Sequence, residues 1–184
     1  MKKKLYKGFT LAELLIVVAV IAVLVAISIP IFNKQLEKSR EAYDISTMRQ
    51  AASLAVEYYY SGVITERGET SPDLGWWNGG VDGSNAFGAY DPANGKFVDD
   101  KTKIKAYGKG TNVDGGTSFM WDGIRKAYAP GEDYRNAVVM IAIYPAGANK
   151  HIDVYWKNNR INSNYVGGAV KNNDPRYSIR IPLE

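Results

Sequence analysis

The sequence predicts an α+β chain: one long N-terminal helix, apolar in its first half and amphipathic in its second, packed on an antiparallel β-sheet head. Three observations carry this. From Leu14 to Phe32 nineteen residues run without a charge and with a single hydroxyl, Ser28. Seventeen of the 18 glycines lie at Gly62 or later, and Phe9–Ser61 contains none. Toward the C-terminus, short runs alternate apolar and polar residues between turn signals, the period of half-buried strands.

The first half of the helix follows from the apolar run. At ~1.5 Å per residue it extends about 28 Å, close to the ~30 Å hydrocarbon core of a bilayer. A helix apolar all round does not fit inside so small a domain, so lipid or other subunits must bury it. Lys2, Lys3, Lys4 and Lys7 precede it, and the positive-inside rule leaves that end in the cytoplasm. Beyond Phe32 the pattern becomes amphipathic. Phe32, Leu36, Tyr43, Met48, Ala52, Ala55 and Tyr59 fall near helical spacing, with Lys34, Lys38, Glu41, Arg49 and Glu57 on other faces. The single proline of the span, Pro30, interrupts it, and Gly62 suits its end. The expected division is therefore 1–8, a short basic leader; 9–32, the hydrophobic half-helix; 33–61, the amphipathic half; and 62–184, a globular head.

Within the head, residues 65–116 are rich in Gly, Asn and Asp and carry Trp76, Trp77, Phe87, Tyr90, Phe97 and Tyr107. Such aromatic content marks packed loops with short strands, not disorder. Residues 118–128 (SFMWDGIRKAY) are read as a short helix, ended by Pro130-Gly131. Asn136–Tyr144 and His151–Trp156 form a hairpin, and Tyr177–Leu183 a final strand with Pro182 at its end.

Composition excludes much chemistry. Cysteine is absent, so disulfides, cysteine-based zinc or iron–sulfur sites and a thiol nucleophile are out. A single histidine, His151, excludes a multi-histidine metal site within the chain. The net charge of +4 comes entirely from the four leader lysines; beyond Gly8, 19 basic residues balance 19 acidic ones. No bulk footprint for nucleic acid remains.

The functional signal lies at residues 5–13, LYKGFTLAE. A secretory signal runs basic, apolar, small residue. Here the small residue, Gly8, separates the basic stretch from the apolar one, so cleavage after it removes the charge and keeps the helix. Glu13 is the only charge between Phe9 and Phe32. A carboxylate at membrane depth is costly and marks function by default.

These residues resemble the N-terminus of a type IV prepilin: Lys7-Gly8-Phe9-Thr10-Leu11-Ala12-Glu13, then an apolar helix with Pro30. The resemblance covers about residues 4–45. It implies a pilin fold, and a prepilin peptidase that cuts between Gly8 and Phe9 and N-methylates the new amine of Phe9. Glu13 would match the acid that recognises a neighbouring subunit's amine, and Pro30 the proline near which the helix kinks or melts. The implied protein is not an enzyme and needs no cofactor or metal. It would be a single-pass membrane precursor that becomes, through the pilus assembly machinery, a homopolymeric cell-surface pilus subunit for adhesion, biofilm or twitching motility. A pseudopilin of a type II secretion or competence system shares this N-terminus and is the alternative. The cysteine-free head departs from pilins that close a C-terminal loop with a disulfide, and suits a Gram-positive major pilin. Tyr165 and the final strand are the candidates to pin residues 158–174 instead.

Other constellations have structural readings. Asp91, Asn94, Gly95, Asp99 and Asp100 lack the EF-hand spacing, and turn chemistry accounts for them. His151 opens a strand and has no nucleophile beside it in sequence. Lys101, Lys103, Lys105 and Lys109 around Tyr107 could touch an anionic surface, but the flanking acids favour a solvated loop.

Overall fold

The computed structural model describes residues 8–65, 68–69, 73–77, 84–113, 115–116, 118–123, 125–160, 164–170 and 174–184. One helix, α1 (Leu11–Tyr60), contains Pro30 and ends where Ser61 donates back to Glu57 and Gly62 takes a positive φ of 77°. The head follows as short strands β1 (Ile64–Thr65), β2 (Gly68–Glu69) and β3 (Gly75–Trp77), then β4 (Asn85–Asp91) and β5 (Lys96–Val98). A small hairpin, β6 (Phe119–Met120) and β7 (Lys126–Tyr128), precedes the long strands β8 (Ala137–Tyr144), β9 (His151–Asn158) and β10 (Ser178–Pro182).

The main sheet runs β10-β9-β8-β4-β3, with β5 pairing the far end of β4, and every pairing is antiparallel. Alternation along its strands divides the two faces. Val139, Ile141 and Ile143 of β8, with Ile152, Val154 and Trp156 of β9 and Ile179 of β10, join Ile45, Met48, Ala51, Ala52 and Ala55 of α1 in one buried cluster. Alanines at three of those helix positions let its backbone lie close to the sheet. The other face carries Ala89, Val138, Met140, Ala142 and Tyr155. There Arg180 forks onto Asp153 at 2.7 and 2.5 Å. Burial opposes the Asp153 charge, but Arg180 and His151 outweigh it and hold its carboxyl below the usual range.

Two expectations need correction. Of residues 118–128, the described ones form the β6–β7 hairpin, not a helix. Trp121-Asp122-Gly123 makes the turn, with Gly123 at φ 77° and the Asp122 carboxylate accepting from the Arg125 amide at 2.8 Å. An Asp-Gly pair closes a hairpin far more readily than it sits inside a helix. The second correction concerns the face of α1. Phe32, Leu36 and Tyr43 are exposed, whereas Glu41, expected on a solvated face, is 1% exposed and lies beside buried Glu37 and Asp44. The head first grips the helix at Glu37, and it does so through peptide N–H groups, which select acids over apolar side chains.

The C-terminal segment is pinned without a disulfide. Tyr165 bridges to Lys157, its ring meets that of Tyr155 edge-on at 5.1 Å, and the Lys157 ammonium sits 5.1 Å from the Tyr165 ring centroid. Val166 donates to the Trp156 carbonyl, and Ala169 pairs with Pro175. Residues 161–163 and 171–173 of the expected loop lie outside the described residues.

Candidate functional site: the uncovered half of the helix

α1 leaves the head at Glu37, and among the described residues nothing covers Leu11–Leu36. At ~1.5 Å per residue this projects nearly 40 Å beyond the grip. Leu14, Leu15, Ile16, Val17 and the apolar residues through Phe32 are all exposed. The helix is long and apolar enough to cross a membrane. Pro30 lies inside it and has no N–H for the Ala26 carbonyl, a built-in weak point in the ladder. Two residues earlier, the Ser28 hydroxyl bonds the Leu24 carbonyl at 2.7 Å.

The start of the helix is locked by its own side chains. Thr10 is extended at the N-cap (φ −80°, ψ 153°). Its hydroxyl accepts from the Glu13 amide at 3.3 Å. In return the Glu13 carboxylate accepts from the Thr10 amide and hydroxyl, each at 2.8 Å. This is a reciprocal capping box, in which two otherwise unpaired amides are satisfied. The T-x-x-E spacing of Thr10-Leu11-Ala12-Glu13 announced it, and the sequence reading passed over it. Both reverse bonds fall on Oε2, so the cap makes no use of Oε1.

Gly8 and Phe9 precede the cap. Phe9 is 90% exposed. A Cβ built on Gly8 meets nothing within 4 Å, and its φ lies outside the left-handed region. Among the described residues, then, nothing in the fold requires glycine here. The four leader lysines lie outside the described residues.

The secondary candidates resolve into structure. Asp91 accepts from the Ala93 amide at 3.0 Å and from the Asn94 side chain at 2.7 Å, closing the β4–β5 turn with Gly95 at φ 62°. Asp100 caps the short 3-10 turn Lys101–Lys103. No group of three or more His, Asp or Glu side chains among the described residues is arranged to hold a metal. Lys101 bonds the carbonyls of Asn158 and Arg160, and Lys103 pairs with Asp99 at 2.6 Å, which breaks up the basic run. His151 is buried, stacks on Tyr144 at 4.4 Å and places Nδ1 2.6 Å from the Asn149 carbonyl.

The chain thus presents a bare apolar half-helix, capped by Thr10 and Glu13 and carried by a second half that the sheet covers. Residues 3–29 match a family model described as the prokaryotic N-terminal methylation motif. The chain is 50% identical over 44 residues to a type IV major fimbrial protein, FimA, of Dichelobacter nodosus, covering 24% of this chain and 28% of that protein. It is 34% identical over 100 residues to the fimbrial protein EcpC of Eikenella corrodens, covering 53% and 54%. The chain thus aligns with between about a quarter and about half of the length of these curated relatives. No solved structure matches it. By motif and relatives the N-terminal part of the chain is similar to that of type IV fimbrial proteins, and its fold is one long helix packed on an antiparallel sheet.

Proposed function

We propose that this chain is the repeating subunit of an extracellular type IV pilus filament. It is made as a single-pass membrane precursor with its N-terminus in the cytoplasm. A prepilin peptidase cuts it between Gly8 and Phe9 and methylates the Phe9 amine. The membrane assembly machinery then polymerises it through the N-terminal helix, and the filament serves adhesion, biofilm formation or twitching. The observation that carries this reading is the helix itself, which leaves an apolar surface bare from Leu11 to Leu36 directly after a capped acid. A lone head has no use for that surface, whereas a lipid core or a bundle of like helices buries all of it.

Gly8 supports the processing step. Its glycine is not demanded by packing, so the demand comes from an outside agent. A protease that grips the extended backbone closely is such an agent, because only glycine presents no side chain there. Gly8→Val should leave an uncut, membrane-bound precursor and no filaments. Electron microscopy of cells expressing only that variant, with a mass measurement of the retained precursor, checks it. Abundant filaments from Gly8→Val would overturn the processing step. With the wild-type chain, long surface fibres support the pilus assignment, while short envelope-confined fibres point to a pseudopilin.

A further inference from the structure

Just below the head, the surface of α1 turns from apolar to basic. By sequence alone residues 34–44 are balanced, three cations (Lys34, Lys38, Arg40) against three acids (Glu37, Glu41, Asp44). The fold separates them. The acids form a stripe that is buried against the head, and Arg40 is held by Glu37 at 3.1 Å. Lys34 and Lys38 stay exposed, one helical turn apart on one side of α1, and neither is in an ion pair among the described residues. At ~1.5 Å per residue they stand about 3 and 9 Å beyond Phe32, where the uncharged run ends. With that run spanning the hydrocarbon core, this is the headgroup layer, about 5–8 Å deep on each side. Their long stems let both ammoniums settle in it.

The head sends one turn of chain down toward the same level. The Lys109 and Gly110 amides donate to Asp44 at 2.8 and 2.7 Å, and the Thr111 amide donates to Glu37, the first buried residue of α1. By Gly115 the chain is back at Glu41, where an added Cβ would lie 2.8 Å from Oε2. It therefore descends about two turns of helix from Asp44 and climbs again, and residues 111–113 lie at its low end. The Val113 amide donates to the Thr111 hydroxyl at 3.3 Å, which leaves the Val113 side chain 46% exposed, next to exposed Asn112. Asp114 lies outside the described residues. An apolar tip at the height of two unpaired lysines matches a membrane interface, which takes apolar groups below and cations among its phosphates.

We infer that this end of the head is a foot seated on the outer face of the bilayer, where Lys34 and Lys38 bind anionic phospholipid headgroups; the inference rests on the membrane-precursor reading above. The head grips α1 directly above the two lysines, so seating the foot also fixes the depth at which the apolar helix sits. Lys109 supplies an internal contrast. Its side chain is exposed and its ammonium lies 5.8 Å from the Tyr43 ring centroid, about two turns higher and clear of the headgroup layer.

The chain has no cysteine, so Asn112→Cys carries a single fluorophore beside the foot. The labelled full chain, reconstituted in nanodiscs of phosphatidylcholine with or without phosphatidylglycerol, is quenched with acrylamide, which is neutral and reaches both faces of a disc. At about fivefold per lysine, phosphatidylglycerol should raise the ratio of seated to lifted heads about 25-fold and shield the label. About 1 M salt, with a Debye length near 3 Å, should remove most of that shielding. Lys34→Gln with Lys38→Gln should abolish it, and Lys109→Gln should leave it intact. Lys2, Lys3, Lys4 and Lys7 are common to every variant, so the comparison removes their contribution. A chain that never enters the discs would overturn the membrane reading and this inference with it. A chain that inserts but is quenched equally in both lipids, or whose shielding survives the double variant, would overturn the foot alone.

Discussion

Filaments should be absent from cells whose only subunit carries Glu13→Ala, although the chain is still cut and still reaches the membrane. Once apolar helices pack against copies of themselves, an unpaired carboxylate in the bundle costs several kcal/mol. The amine that the proposed cut would free at Phe9 is the cation it would supply, and an incoming chain would settle where its amine meets Glu13 of the previous one. At ~3 kcal/mol per contact, assembly falls by about two orders of magnitude. The capping box adds a discriminating variant. Glu13→Gln keeps an acceptor for the Thr10 amide but removes the charge, so it should preserve the helix start and still fail to assemble. Thr10→Val removes the cap, worth about 1 kcal/mol, and keeps the charge, so it should lower filament yield far less. Glu57→Ala, on an exposed part of α1, is the neutral control. Quantitative immunoblots of sheared filaments read all four. Normal yield from Glu13→Ala, with no wild-type subunit present, would refute the pairing.

The second large effect concerns the head. Gly108→Ala should destabilise it by about 3 kcal/mol, near the upper end for overpacked sites. The added Cβ would lie 2.1 Å from the Tyr134 carbonyl oxygen and 2.8 Å from its carbonyl carbon. Both are backbone atoms, fixed because the Tyr134 amide bonds the Gly110 carbonyl and the Gly108 amide bonds the Ala137 carbonyl. Neither the Gly108–Gly110 backbone nor the Tyr134 turn can move without breaking a hydrogen bond. Gly95→Ala meets nothing within 4 Å and carries only the strain of φ 62°, about 1–2 kcal/mol. Denaturant midpoints of the two variants should separate clearly. Equal midpoints would mean that Gly108 does not pack against the Tyr134 backbone as described.

The helix and its two halves were legible because their signals are local and long: no glycine from Phe9 to Ser61, no charge from Leu14 to Phe32. Strand β8 was legible as an apolar, β-branched run before a turn, and β9 and β10 from alternation. Strand β4 was not. Asn-Ala-Phe-Gly-Ala-Tyr-Asp is poor in β-branched residues, and it pairs with β8, β3 and β5 through tertiary contacts that no local pattern records. The acidic stripe was hidden for another reason. Glu37, Glu41 and Asp44 have the spacing of a solvated helix face, and their burial depends on the Lys109, Gly110 and Thr111 amides some seventy residues away, with Gly110 and Gly115 allowing the close approach. Of the residues proposed to act in processing and assembly, Gly8, Phe9, Glu13 and Pro30 stood out in the sequence. The capping role of Thr10 had a readable signature that a focus on Glu13 alone obscured.

The account's central claim is that this chain is cut after Gly8 and builds a surface filament through the helix that follows. Mass spectrometry of purified surface filaments tests both halves at once. The account predicts this chain as an abundant component whose N-terminal peptide begins at Phe9 and carries one added methyl group on its amine. Filaments that lack the chain, or in which it still carries Met1–Gly8, would contradict it.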